Sequence, residues 1–150
     1  AEVTAISYNE NREGVPSCAV TCLATVARYA TKSGNRFFVP LNPLKGVSQL
    51  PAGDDRRTDV VIKSGTVYVD NVEIVLPDGF MVESLPQPIN ISSSIASFEV
   101  DTVQEGNVVR ISQKLSFNKG RYSKELYAEL RSVVEALYDV SASKVVVRKQ

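Results

Sequence analysis

The chain contains no histidine and no tryptophan. Without an imidazole, Ser–His–Asp and Cys–His catalysis, histidine-ligated zinc and histidine proton shuttling are closed to it. Only carboxylate, lysine, tyrosine or unassisted cysteine chemistry remains. An excess of one charge is also missing, since 17 Lys and Arg balance 17 Asp and Glu. Nucleic-acid binders carry a basic excess because their affinity comes largely from phosphate neutralisation, so no nucleic-acid partner is expected. No apolar run reaches the roughly 18 residues of a membrane span. No secretory leader is present and Ala1 stands where an initiator Met would, which reads as a processed protein or an excised piece of a longer one.

Cysteine is nearly as scarce, with Cys18 and Cys22 the only two. On a strand they share a face but lie about 13 Å apart, at about 3.3 Å per residue. A disulfide needs Cα atoms within about 7 Å, and two thiolates without histidine make a poor zinc site. They read as small apolar side chains in a core, and no cofactor is expected.

What the chain does have is a globular composition, with 43% hydrophobic and 23% charged residues over 150 positions. That length suits one domain able to bury roughly 70% of its unfolded surface without a metal or disulfide. The expectation is a single domain over 1–150. Val3 to Tyr8 reads as a short strand running into the polar turn Asn9–Gly14. From Pro16 to Ala30 both periods fit: Val20, Leu23, Val26, Ala27 and Ala30 make a helical stripe with Ser17 as N-cap. Val20, Cys22, Ala24 and Val26 instead alternate as a strand, and the β-branched content tilts toward strand. With a turn at Lys32–Asn35 and a return strand at Arg36–Pro40, residues 17–39 read as one long hairpin. Residues 40–57, with Pro40, Pro43, Pro51, Gly46 and Gly53, read as a strap across one end of the fold or as a functional loop.

From Thr58 onward the β pattern is plain. Strands are expected at 59–62, 67–76, 80–85, 95–103 and 107–117, with turns at Pro77-Asp78-Gly79 and Gln104-Glu105-Gly106 and a break or edge at Pro86-Gln87-Pro88. Val109, Ile111, Leu115 and Phe117 alternate with Arg110, Ser112, Lys114 and Ser116, and Gln113 alone breaks the inner row. Phe98 and Val100 face inward while Glu99 and Asp101 face out. Such alternation marks a sheet buried on one face. The period then changes: Leu126, Leu130, Val133, Val134 and Leu137 form one face of a helix over 122–139. Ser123 is placed to cap it, Glu125 sits in its first turn, and Arg131 and Glu135 can pair. Lys144–Arg148 reads as a last strand. The fold class is therefore mainly β, a largely antiparallel sandwich with one C-terminal amphipathic helix packed on a sheet.

Adjacent acids at Asp54 and Asp55 precede Arg56 and Arg57 and read as a solvated loop, since adjacency does not set the cleft spacing of a glycosidase pair or an EF-hand's ligand order. Tyr122, Tyr127 and Tyr138 are expected to pack their rings on the sheet with wet hydroxyls. Phe37 and Phe38 are adjacent, so one faces in and one out. A candidate interaction surface then comprises Phe37, Phe38, Asn42, Leu44, Asp54, Asp55, Arg56 and Arg57.

The run Tyr29-Ala30-Thr31-Lys32-Ser33-Gly34-Asn35-Arg36-Phe37-Phe38-Val39-Pro40-Leu41-Asn42-Pro43-Leu44 resembles a segment of large bacterial envelope proteins with a transglutaminase-like core. So do Arg57, Leu76-Pro77-Asp78-Gly79-Phe80, Val82-Glu83-Ser84-Leu85-Pro86 and the closing helix followed by Lys144–Lys149. There they lie in a C-terminal domain of unknown function downstream of the papain-like fold. The resemblance implies a non-catalytic accessory or interaction domain, periplasmic or at the cell surface, whose partner is the upstream core of the same protein. The core's catalytic Cys, His and Asp have no counterparts here. A β-sandwich binding a glycan or peptide is the alternative, and it requires a concave pocket lined by tyrosines.

Overall fold

A computed structural model describes residues 1–41, 48–52 and 56–150. The chain divides into two compact units, Ala1–Thr31 and Lys32–Gln150.

The first unit is a two-stranded antiparallel hairpin of β1 (Glu2–Asn11) and β2 (Ser17–Thr25). Its register runs from Glu2 opposite Thr25 to Asn11 opposite Ser17, with an irregularity between Val3 and Ala5. Gly14 takes a φ of 71° in the connecting loop, and the Glu13 N–H donates to Asn11 Oδ1 at 2.9 Å. Residues 17–25 are thus strand, as their β-branched content indicates. Their partner, however, is β1 and not 36–40. The single long hairpin expected over 17–39 is two hairpins. Arg28, with a φ of 57°, lies in the left-handed region that interrupts extended backbone, and it separates β2 from the next strand.

The second unit begins within β3 (Thr31–Ser33), which forms a short hairpin with β4 (Arg36–Pro40) around Gly34, at φ 62°. They continue into the antiparallel sheet β3-β4-β12-β7, where β12 is Lys144–Lys149 and β7 is Phe80–Ser84. The larger sheet has the order β6-β10-β9-β8, from β6 (Thr66–Val75), β10 (Val108–Phe117), β9 (Ala96–Glu105) and β8 (Ile89–Ser92). A small pair joins β5 (Val60–Ile62) to β11 (Gly120–Tyr122). Two of these strands, β8 and β11, lie outside the sequence-derived set. The β9–β10 pairing reaches Glu105 opposite Val108, so the turn is the two residues Gly106-Asn107, with Gly106 at φ 59°. Between β6 and β7 the Phe80 N–H donates to the Pro77 carbonyl at 3.3 Å across Gly79, at φ 81°.

The core follows the alternation. Val109, Ile111 and Leu115 of β10 and Ala96, Phe98 and Val100 of β9 are buried, with Val39 of β4 and Val145 and Val147 of β12. Gln113 is buried in the same row, opposite Asp70 of the edge strand β6 and Val100 of β9. An inward-pointing carboxylate on an edge strand disfavours pairing with another chain. A 3-10 turn (Lys124–Leu126) leads into α1 (Tyr127–Ala142), which buries Leu130, Val133, Val134, Leu137 and Val140 and packs against β9 and β8. Ser123 does not cap it through its side chain. Arg131 Nε and Glu135 Oε1 pair at 2.7 Å, one turn apart.

Phe98 has no exposed surface and sits on the strand that the helix packs on. Phe98→Ala is expected to destabilise the domain by about 3–5 kcal/mol through lost burial and the cavity left behind. Val103→Ala, on the wet face of the same strand, should stay within about 0.5 kcal/mol. Urea unfolding of both variants measures the difference.

Candidate functional site

Of the sequence-derived surface, Asn42, Leu44, Asp54 and Asp55 lie outside the described residues. The remaining four do not form one patch. Phe37 and Phe38 sit on β4 and, by alternation, point to opposite faces of its sheet. Phe37, opposite Val147, meets Phe80 edge-to-face at 5.2 Å, with the Lys32 ammonium 5.6 Å from its ring centre. Phe38, opposite Val146, is half-buried on the other side. Arg57 is exposed.

Arg56 is held from three directions. Its Nε donates to the Thr58 carbonyl at 2.9 Å and a terminal nitrogen to the Asp59 carbonyl at 3.1 Å. Its guanidinium lies 4.7 Å over the Tyr127 ring, a cation–π contact. The Tyr127 hydroxyl, expected to be wet, instead donates to the Pro51 carbonyl at 2.8 Å. Together these two residues pin the irregular segment around Pro51 to the start of α1. Their arrangement is that of a structural clasp.

Beside the clasp runs an open groove of about 480 Å³, lined by Arg56, Lys124, Glu125, Tyr127, Arg131 and Glu135. Hydrogen bonds from its own backbone N–H and from the Ser123 hydroxyl hold the Glu125 carboxyl below the ordinary glutamate range. A general acid at neutral pH needs the opposite shift, upward by burial. Two smaller depressions, of about 440 and 360 Å³, lie on the exposed face of the larger sheet among Val69, Glu99, Asp101, Ser112, Lys114 and Arg110. That face pairs its own polar groups. Arg110 bonds Glu73 at 2.9 Å and Glu105 at 2.6 Å, Ser112 bonds Asn71 at 3.1 Å, and Ser97 and Ser116 meet at 2.7 Å.

The same pattern recurs on the smaller sheet. Arg36 reaches Glu83 through Nε at 2.8 and 2.9 Å and through a terminal nitrogen at 2.6 Å. The hydrogen bond from Arg36 lowers the Glu83 carboxyl, and Glu83 in turn raises Arg36. Arg121 and Asp59 pair at 2.8 Å across the β5–β11 pair. No group of three or more Cys, Asp or Glu able to hold a metal ion occurs among the described residues. Nor is any described helix long and apolar enough to cross a membrane.

These features define a β-rich domain in which Arg36, Arg110 and Arg121 brace its own strands through carboxylates. The chain belongs to DUF3858, a "Domain of Unknown Function with solved-structure structure", which matches residues 35–147. No curated protein matches the chain. Among solved structures it is similar to that of a "putative protease" from Parabacteroides distasonis ATCC 8503, with a TM-score of 0.53 at 14% identity. The likeness covers 63% of this chain and 19% of that one, and at this identity it speaks for the fold alone.

Tyr127→Phe removes one hydroxyl donor and is expected to cost about 0.5–1.5 kcal/mol, read by urea denaturation, with α1 retained in circular dichroism. The Arg36–Glu83 pair gives a pH signature. Glu83's folded pKa lies below its unfolded value, so its contribution is fully present above that value, about 4.3, and is lost as pH falls through the lower folded pKa. Glu83→Gln should therefore be less stable than the parent chain at pH 7 and converge with it toward pH 3. Urea midpoints at both pH values test this.

Proposed function

We propose that this chain is a non-catalytic accessory domain of a longer, transglutaminase-like envelope protein, periplasmic or at the cell surface. In this role it packs on the papain-like core and positions it. The observation that carries the proposal is a set of four cross-strand ion pairs, made by three arginines, that brace the strands. Arg36–Glu83, Arg110–Glu73, Arg110–Glu105 and Arg121–Asp59 are bonded at 2.6–2.9 Å. Glu83 and Glu125 are both held toward ionisation. Such pairing suits a scaffold better than proton transfer, which supports the accessory reading. The likeness to 19% of a much longer structural neighbour, described as a "putative protease", supports reading the chain as part of a longer protein. The Leu76–Phe80 and Val82–Pro86 segments that carry the resemblance fall inside the matched 35–147 region.

A glycan- or peptide-binding role would need open tyrosine faces. In the helix groove, Tyr127 is buried, overlaid by Arg56 and bonded to Pro51, which favours the accessory role.

The test compares the parent protein with and without this domain. Deleting the domain should leave the core's cysteine open to alkylation but lower the parent's melting temperature. Loss of even about 1 kcal/mol of docking shifts a domain of this size by roughly 2–4 °C. The isolated chain should be inert toward peptide and glutamine substrates. Turnover by the isolated chain, or a reading frame without a Cys–His–Asp core upstream, would remove the proposal.

A further inference from the structure

We propose that Met81 is a reversible oxidation site, at which a peroxide converts the thioether to a sulfoxide that Arg148 then holds. Met81 is the single methionine of the chain. It lies on β7, the edge strand of the smaller sheet, between the half-buried Phe80 and Val82. Alternation therefore turns it to the outer face. It is 38% exposed, so its sulfur is within reach of a small oxidant. Oxidation of a buried methionine places a polar group in a core and disrupts the packing. At Met81 the polar product forms at the surface instead.

The register supplies the partner. Arg148 of β12 stands opposite Met81 on one side and Arg36 on the other. The Arg36 guanidinium takes the neighbouring carboxylate, Glu83, with contacts of 2.6–2.9 Å. Behind that bond, the Arg148 charge also helps to lower Glu83, which places the two close together. The hydrogen bond of Arg148 itself goes elsewhere, from Nη2 to Met81 Sδ at 3.3 Å. A thioether is a weak acceptor, so the charged donor gains little from it. A sulfoxide on the same sulfur offers an oxygen with partial negative charge, and a guanidinium bond to an oxygen acceptor is of the stronger, charge-assisted kind. The donor thus stands in place before the reaction that uses it.

A peroxide is the class of oxidant that completes the step. One peroxide oxygen bonds to a sulfur lone pair as the O–O bond breaks. Its proton passes to the departing hydroxide, which leaves as water. The sulfur gives up two electrons and the peroxide takes them. Reduction by methionine sulfoxide reductases restores the thioether. The exposed Cys18 and Cys22 follow the separate oxidation ladder of thiols.

The test uses the 150-residue chain with Cys18→Ser and Cys22→Ser, which leaves Met81 as the one sulfur to oxidise. Hydrogen peroxide should add one oxygen to the folded chain, located at Met81 by peptide mass spectrometry. The two reductases, one for each sulfoxide epimer, should together remove it. Oxidation should leave the melting temperature unchanged or raise it. In Arg148→Ala the same oxidation should lower it, so that the two shifts differ by about 2–4 °C. Equal shifts in the two chains would overturn the proposal. So would a folded chain whose Met81 resists peroxide, or whose sulfoxide resists both reductases. Met81→Leu should show neither the added oxygen nor the shift, and a shift there would also overturn it. None of these outcomes touches the accessory role, which deletion of the domain tests separately.

Discussion

The ten-row antiparallel pairing of β9 with β10 is the constraint on which the Lys32–Gln150 unit depends. It fixes Phe98 beside Leu115 and Val100 beside Gln113, and so turns every second side chain of both strands inward. That phase gives α1 an apolar floor on β9 and β8. A slip of one residue would expose the whole set at once. The two-residue Gly106-Asn107 turn holds the register, since Gly106 adopts its left-handed φ without a Cβ clash. On the other face the same phase aligns Arg110 with Glu73 and Glu105, so burial and surface pairing share one cause.

How much of this is legible in the residues alone depends on the range of each signal. The alternation of β9 and β10 and the 3.6-residue stripe of α1 are local patterns, and both are visible in the sequence. The four-residue β8 and three-residue β11 are too short to show a period. The partner of β2 lies on the opposite side from the one its sequence suggests, because β1 and 36–40 both offer plausible strands next to a turn. The left-handed Arg28 interrupts the extended backbone between β2 and the next strand, and no local pattern announces it. The Arg56–Tyr127–Pro51 clasp is also hidden. Its hydroxyl bond joins residues 76 apart, and in sequence Tyr127 looks like any helix tyrosine. The signal available is the unusual Arg56-Arg57 pair after a proline-rich strap.

The candidate site fares differently from the fold. The sequence-derived surface groups Phe37 with Phe38, yet adjacent strand residues must diverge, and Phe37 joins Phe80 in an aromatic pair instead. The ion pairs Arg36–Glu83 and Arg110–Glu73 join residues 47 and 37 apart. Only the strand order brings them together. Once together, they tie up charges that a catalytic or ligand-binding reading would want free. Beside these pairs, Val67, Val69, Val75 and Val103 stay exposed on the larger sheet, and Val3, Ile6, Tyr8, Val20 and Leu23 on the hairpin.

Hydrogen–deuterium exchange over Lys32–Gln150 tests the accessory role most directly, because a docked face exchanges more slowly than the same face in isolation. The account predicts that one contiguous face of this unit is protected in the parent protein with its core relative to the isolated chain. Equal exchange throughout both would contradict it.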